Sequence, residues 1–409
     1  MAAFMNRTVQ YLQSVSGLEE IEATMLVNYL IQDSIEAGAS DVHIEPWESS
    51  IAVRIRLDGV LTELAHLPLE LMDRLKQRIK IMATLVPYIT DVPQEGHIPA
   101  DPAFGDVQLR VSCVPTVRGG KVVVRIFNQE TRSFDLRNLG FDEDIYNRLT
   151  ELLAQPGGLI LLTGPTNCGK TTAIYSSLMH LINRAGPTIS IATVEDPVEF
   201  RLPMVTQSQI NTSREFTYPV ALRSLLRQDP QVIMIGEIRD PETATIALQA
   251  GFTGHLVIST IHSGTSTGVF ARLVNMELEP FLLASSIIGV MGLRLIRRNC
   301  ESCSQPYQPS PGILKHLTAE EIEGAFFRRG AGCANCHQTG FNGRIALAEL
   351  LTVDAVFRDA LLQRMQTSAL QNVAMAQGMQ TLWQRGVKRA LAGQTPIEEI
   401  MRVVTMDRL

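Results

Sequence analysis

Residues 164–172 read GPTNCGKTT, which fills the frame G-x-x-x-x-G-K-[ST]. A glycine-rich turn that runs into a helix aims backbone N–H groups at an anion, and the lysine adds a positive charge on a long stem. Gly164, Pro165, Thr166, Asn167, Cys168, Gly169, Lys170, Thr171 and Thr172 are therefore the candidate nucleotide-binding residues. Lys170 would reach the β- and γ-phosphates of ATP, and the Thr171 hydroxyl would ligate Mg²⁺. The flanks supply the context that such a loop requires: LILLT (159–163) reads as a strand and TTAIYSSLMHLI as a helix. Asn167 stands where glycine is common, and asparagine tolerates positive φ better than most residues. Cys168 is close to serine in size. A helix N-terminus can also depress a thiol's pKa, so a reactive thiol is the alternative to a passive replacement.

Three further stations follow apolar runs. ISIATV (189–194) leads into Glu195, VIMIG (232–236) into Glu237, and HLVIST (255–260) opens on His255 and is followed by His262. In open parallel sheets, ligands bind at the carboxyl ends of the strands. Glu195 and Glu237 are thus expected at the same edge as the phosphate loop. There a carboxylate can hold Mg²⁺, in the case of Glu237 through water, or position an attacking water. Each glutamate taken alone could equally be a solvated strand end, and an isolated histidine is more often structural. Of the two histidines, His255 is expected to be the better placed.

Six cysteines occur, four of them as Cys300-x-x-Cys303 and Cys333-x-x-Cys336, with 29 residues between the pairs. Two such knuckles offer four thiolates at tetrahedral reach, a closed structural zinc site. The spacer is longer than the common range, so it should carry small elements of its own. CANCH (333–337) also fits a c-type haem attachment pattern, which needs an exported chain and leaves the first pair unexplained. A dithiol redox pair is a further alternative.

These residues need elements to position them. A chain of 409 residues, 45% apolar and 19% charged, is globular and long enough for two or three cores. Its net charge of −6 runs against a bulk nucleic-acid binder. The N-terminus has no apolar core of signal-peptide length. The longest uncharged apolar run, Phe281–Leu293, has 13 residues, too few to span a bilayer. A cytoplasmic location with indirect membrane contact is expected. Residues 22–37 and 67–86 have helical spacing. In IAVRIRLDGVLTEL, Val53, Ile55 and Leu57 alternate with Arg54, Arg56 and Asp58, which predicts a half-buried strand. DVQLRVSCVP and GGKVVVRIF predict a second strand pair, with Arg110 and Arg125 on polar faces. The first domain thus reads as a mixed sheet with helices, closed by a polar linker at 128–138. From 141 onward, short and continuously apolar strands separated by helices predict a parallel sheet covered on both faces.

Taken together, GPTNCGKTT, ATVEDPVEF, LLRQDPQVIMIGEIRDPETA and TGHLVISTIHS resemble the Walker A, Asp-box, Walker B and His-box motifs of the secretion ATPases that drive type II secretion and type IV pilus assembly. ASDVHIEP, RIRLDG, PQEGHI and RVSCVPTVRGGKVVVRIF before the loop fit the same family, as do GRIALAEL and GMQTLWQRGVKRALAGQTPIEEIMRV after it. The resemblance covers roughly residues 30–405, in order. It implies an α/β fold: an α+β, PAS-like domain with linker over 1–135, then a RecA-like P-loop ATPase domain over 136–409. The second domain would hold a zinc-binding insert at 298–340 and a helical region at 347–409. It also implies a homo-hexamer that works on an inner-membrane platform protein, with ATP bound between the domains and no nucleic acid as partner. Residue by residue, Glu195 matches the Asp-box glutamate that would activate water, Glu237 the Walker B glutamate, and His255 the His-box residue near the γ-phosphate. Arg110 and Arg125 match paired arginine fingers. The four-cysteine insert is usual in the assembly branch and absent from the retraction branch. The chain departs from the pattern in Asn-Cys at 167–168 and in Gly-Leu before Arg294-Leu295. Typical members carry a further N-terminal domain that docks on the membrane partner, and this chain matches such members from their second domain onward. The rival readings are a nucleic-acid-translocating hexameric ATPase, a degenerate nucleotide-binding scaffold and a pilus-retraction motor.

Overall fold

The computed structural model describes residues 6–105, 107–127 and 134–405. They form two compact units, residues 1–132 with 332–342 and residues 133–331 with 343–409. Most of the stretch expected to act as linker, 128–133 of 128–138, lies outside the described residues.

The first unit contains α1 (Asn6–Ser14), α2 (Ala23–Glu36), β1 (Asp41–Pro46), β2 (Ile51–Leu57), β3 (Val60–Leu67), α3 (Met72–Met82), β4 (Gln94–Asp101), β5 (Val107–Thr116) and β6 (Gly119–Phe127). The strands form one sheet in the order β3-β2-β1-β6-β5-β4. Every pairing is antiparallel, so the sheet is not mixed. The reason lies in the connections. Asp58 and Gly59 both have positive φ (45° and 85°), the two-residue turn that lets β2 fold straight back into β3. In β2, Val53, Ile55 and Leu57 are buried while Arg54 and Arg56 are half-buried, as the alternation predicts. Leu26, Val27, Leu30 and Ile31 of α2 and Leu75 and Ile79 of α3 pack with the apolar sheet face into one core. Burying each such side chain contributes about 1.5–3 kcal/mol. The opposite face is left to charged residues.

The second unit begins with α4 (Glu143–Leu153), β7 (Gly158–Thr163), α5 (Lys170–Ala185), β8 (Ile191–Glu195), β9 (Val205–Gln209), α6 (Tyr218–Leu225), β10 (Val232–Ile235), α7 (Pro241–Phe252) and β11 (Leu256–Ile261). It continues with α8 (Gly268–Asn275), α9 (Pro280–Ser286), β12 (Ile287–Asn299), β13 (Ser304–Pro306), α10 (Pro311–Leu314), α11 (Ala319–Glu323) and β14 (Arg328–Gly330). β15 (Phe341–Thr352), α12 (Ala355–Leu362), α13 (Thr367–Ala376), α14 (Leu382–Leu391) and α15 (Ile397–Val403) complete the chain. The sheet order is β15-β12-β7-β11-β10-β8-β9. From β12 to β9 all neighbours are parallel. Every residue of β7, β8, β10 and β11 is buried, the signature of strands covered on both faces. One core lies between the sheet and α6–α9, α12 and α13, and another between the sheet and α4 and α5. Pairing of β13 with β14 gives the cysteine spacer its own small sheet beside α10 and α11.

The apolar run 281–293 divides between two elements, since α9 ends at Ser286 and a 13-residue strand, β12, begins at Ile287. One expectation needs correction. The C-terminal region is not helical from 347: residues 347–352 belong to β15, and helix starts only at Ala355. Continuous burial over 347–351 hides the period-2 pattern that would have marked a strand. Among the described residues no helix is long and apolar enough to cross a membrane.

Candidate functional site

The loop after β7 has the backbone that phosphate binding requires. At Gly164 φ is 147°, and a Cβ there would lie 2.5 Å from the Leu293 carbonyl oxygen and 2.6 Å from the Cys168 sulfur. Only glycine fits. Asn167 has φ 61°, the left-handed conformation that its residue type suggested. Gly169 caps α5 without a side-chain hydrogen bond, and the helix N-terminus opens at the loop. Lys170 Nζ lies over the loop and donates to the carbonyls of Gly164 and Pro165, each at 2.8 Å. Cys168 is 4% exposed, and burial pushes its thiol above the usual range. A protonated, buried thiol is a packing residue, which decides against the reactive-thiol alternative.

Parallel strands bring their carboxyl ends to this loop. The Ile238 N–H donates to the Thr260 carbonyl and the Thr260 hydroxyl to the Gly236 carbonyl, which ties the end of β10 to β11. Thr163 Oγ1 donates to the Ser263 carbonyl and accepts from its N–H, tying β7 to the residues after β11. Glu237 therefore lies on the loop's edge. It pairs with Arg239 and, at 3.5 Å, with His262 Nε2. Burial works to raise its pKa. The Arg239 guanidinium, His262 and Lys170 together overcome this and hold the carboxyl below the usual range. Glu237 is thus an anion facing the loop's lysine, able to hold a hydrated cation.

The two histidines are reversed from expectation. His255 precedes β11, and its carbonyl accepts from Gly158 at the start of β7. It sits at the amino edge of the sheet, a strand's length from Lys170, with Nδ1 against the Ala250 carbonyl at 3.2 Å. His262 follows β11 at the carboxyl edge, where its ring reaches Glu237. Strand direction decides between them, and chain order already carried it: His255 comes before the apolar run and His262 after it.

Glu195 ends β8 at the same edge, but the residue is only 3% exposed. Oε2 accepts from the Tyr175 hydroxyl. Oε1 accepts from Thr193 Oγ1 at 2.6 Å and Gln207 Nε2 at 3.1 Å. Burial first, and then the Glu195 carboxylate, push the Tyr175 phenol far above its usual range, so it donates rather than ionises. Sequence reasoning missed these three donors. Tyr175 and Thr193 lie within motifs already singled out, but the type of a residue does not reveal the direction of its bond.

Residues 17–402 match the family model described as "Type II/IV secretion system protein". The chain belongs to this family. The type IV pilus assembly ATPase PilB of Thermus thermophilus is 39% identical over 386 residues, which is 94% of this chain but 43% of that relative. Type II secretion system protein E of Pseudomonas aeruginosa is 39% identical over 378 residues, 92% of this chain and 74% of the relative. The chain thus spans under half of one relative and about three quarters of the other. Among solved structures, the Legionella pneumophila ATPase DotB aligns with a TM-score of 0.68 at 19% identity, covering 93% of this chain and 95% of that one. At that identity the likeness supports the fold.

Within this secretion-protein fold, the first unit sets Arg110 and Arg125 side by side. One register row crosses five strands: Arg56, Asp41, Arg125, Arg110 and His97. Arg125 Nε donates to Asp41 Oδ1 at 3.0 Å, and Arg110 pairs with Glu95 at 2.8 Å. Both arginines keep over two fifths of their side chains exposed. Asp41, in ASDVHIEP, anchors the row, and sequence reasoning passed over it.

The four paired cysteines converge, with all Sγ atoms within 4.8 Å of one another. Cys333 and Cys336 sulfurs are 3.7 Å apart, close to the edge of a tetrahedron built on zinc–sulfur bonds of about 2.3 Å. Backbone N–H groups of Cys333 and Gly340 donate to Cys336 Sγ, each at 3.2 Å. Such donors stabilise thiolate charge. The donor set therefore fits a tetrahedral zinc ion.

Proposed function

We propose that this chain is a Mg²⁺-dependent ATP hydrolase of the assembly type, a homo-hexameric motor that drives addition of pilin or pseudopilin subunits. The observation that carries the reading is the convergence of the Lys170 loop and the ionised Glu237 on one sheet edge. Lys170 and the α5 N-terminus would hold the phosphates, and Thr171 and Glu237 would hold hydrated Mg²⁺. The cation, when bound, would neutralise developing charge on the phosphates. Glu195 would take the proton from the attacking water, His262 would lie near the transferred phosphoryl group, and Arg110 and Arg125 would act as arginine fingers. The converging cysteines support zinc and, by resemblance, the assembly branch over the retraction branch. An inner-membrane platform protein would be the partner, placing the motor at the cytoplasmic face of the membrane. The chain's acidic balance runs against a nucleic-acid substrate. Phosphate release from ATP-Mg by the wild-type chain and Glu237→Gln tests the reading.

A further inference from the structure

The proposed base does not face the site. Thr193, which donates to Glu195 Oε1, lies two residues back along β8, away from the carboxyl edge. Gln207, the second donor to Oε1, is the cross-strand partner of Thr193 and sits at the same level below the edge. Tyr175, the donor to Oε2, is five residues beyond Lys170 in α5, about 7.5 Å down the helix from the loop. All three donors pull the carboxylate inward, and Glu195 as a whole is 3% exposed.

We propose that Tyr175 is a latch on Glu195: it holds the carboxylate in a withdrawn position, and turnover requires that bond to open. This rests on the reading above, in which Glu195 takes the proton from water. A carboxylate whose oxygens are both engaged by buried donors is a poor general base, because a base must come within hydrogen-bond reach of the water. Tyr175 is also placed to sense the nucleotide, since its helix begins at Lys170 and presents the N–H groups that would meet the phosphates. A small shift of α5 as phosphates seat is transmitted to the hydroxyl through a rigid helix packed in a dense core. Tyr175 is fully buried, and its ring packs edge-on against Phe134 and Phe200, so phenylalanine keeps the packing and removes the hydroxyl, which donates to Glu195 and also accepts from the Phe200 backbone N–H.

The test compares steady-state ATP hydrolysis by wild type, Tyr175→Phe, Thr193→Val, Glu195→Gln and Tyr175→Phe/Glu195→Gln. The latch predicts that Tyr175→Phe raises kcat roughly fivefold, the scale of one hydrogen bond released, with KM for ATP unchanged. Thr193→Val should move kcat the same way, and it decides the matter if Tyr175→Phe fails to fold. The double variant should be no faster than Glu195→Gln. A folded Tyr175→Phe with kcat equal to or below wild type, while Glu195→Gln is slow, overturns the latch alone. Wild-type turnover by Glu195→Gln overturns the role of Glu195 and the latch with it.

Discussion

Glu399 gives a prediction whose size follows from its surroundings. It lies in α15 with its side chain 1% exposed, and it takes four donors on two oxygens. The Arg297 N–H reaches Oε1 at 3.0 Å and Arg402 Nη2 reaches the same atom at 2.6 Å. Arg297 Nη2 and Arg402 Nε each reach Oε2 at 2.8 Å. The two bonds from Arg297 tie α15 to β12, whose Arg294 also donates to the Val403 carbonyl at 3.1 Å, while those from Arg402 stay within the helix. Glu399→Gln keeps the shape but puts an NH₂ group against two of the four donors and removes the charge. A charge-assisted hydrogen bond contributes about 1.5–3 kcal/mol. Arg402 is 43% exposed and counts for less. We therefore expect a loss of roughly 2–3 kcal/mol. For a unit of this size that is a Tm decrease of about 4–6 °C, read by thermal melting. Burial works to raise the Glu399 pKa, but the hydrogen bonds of Arg402 and Arg297 outweigh it and hold the folded value below the usual range. A depressed folded pKa stabilises fully above the unfolded value of about 4.3 and loses that stabilisation as pH falls through the folded value. The gap between wild type and Glu399→Gln should thus be constant from pH 7 to roughly 5 and close at lower pH. A Tm within 1 °C of wild type at pH 7, or a gap that widens on acidification, would refute this reasoning.

Two further outcomes follow from the site. One zinc ion per chain should be found by elemental analysis of protein prepared with zinc, and Cys336→Ser should lower both metal content and Tm; full occupancy in that variant would count against the four-thiolate site. His262→Ala should lower kcat at least tenfold, on the order of one lost transition-state contact, while His255→Ala stays within about twofold of wild type; the reverse ranking would contradict the strand directions given above.

The sequence was most legible where chemistry constrains the backbone. Gly164, Asn167 and Gly169 announce a loop with positive φ, and all three have it. The apolar strands leading to Glu195 and Glu237 were readable because two-sided burial removes alternation from a parallel sheet. The same continuity hid β15 within a stretch read as helix. The histidines were misranked although chain order puts His255 before the strand and His262 at its carboxyl end, where ligands of a parallel sheet bind. Asp41 and Tyr175 escaped notice for another reason. Their importance comes from partners 84 and 20 residues away, and only the folded chain brings those together.

The central claim is that Lys170 and Glu237 form an ATP-hydrolysing centre. Its most direct test is phosphate release at saturating ATP-Mg by Glu237→Gln, with ATP binding measured in parallel. Wild type should turn over, and the variant should bind ATP with similar affinity while its turnover falls at least a hundredfold, the order expected when a main charge-stabilising group is lost. Turnover by Glu237→Gln at the wild-type rate would contradict the account.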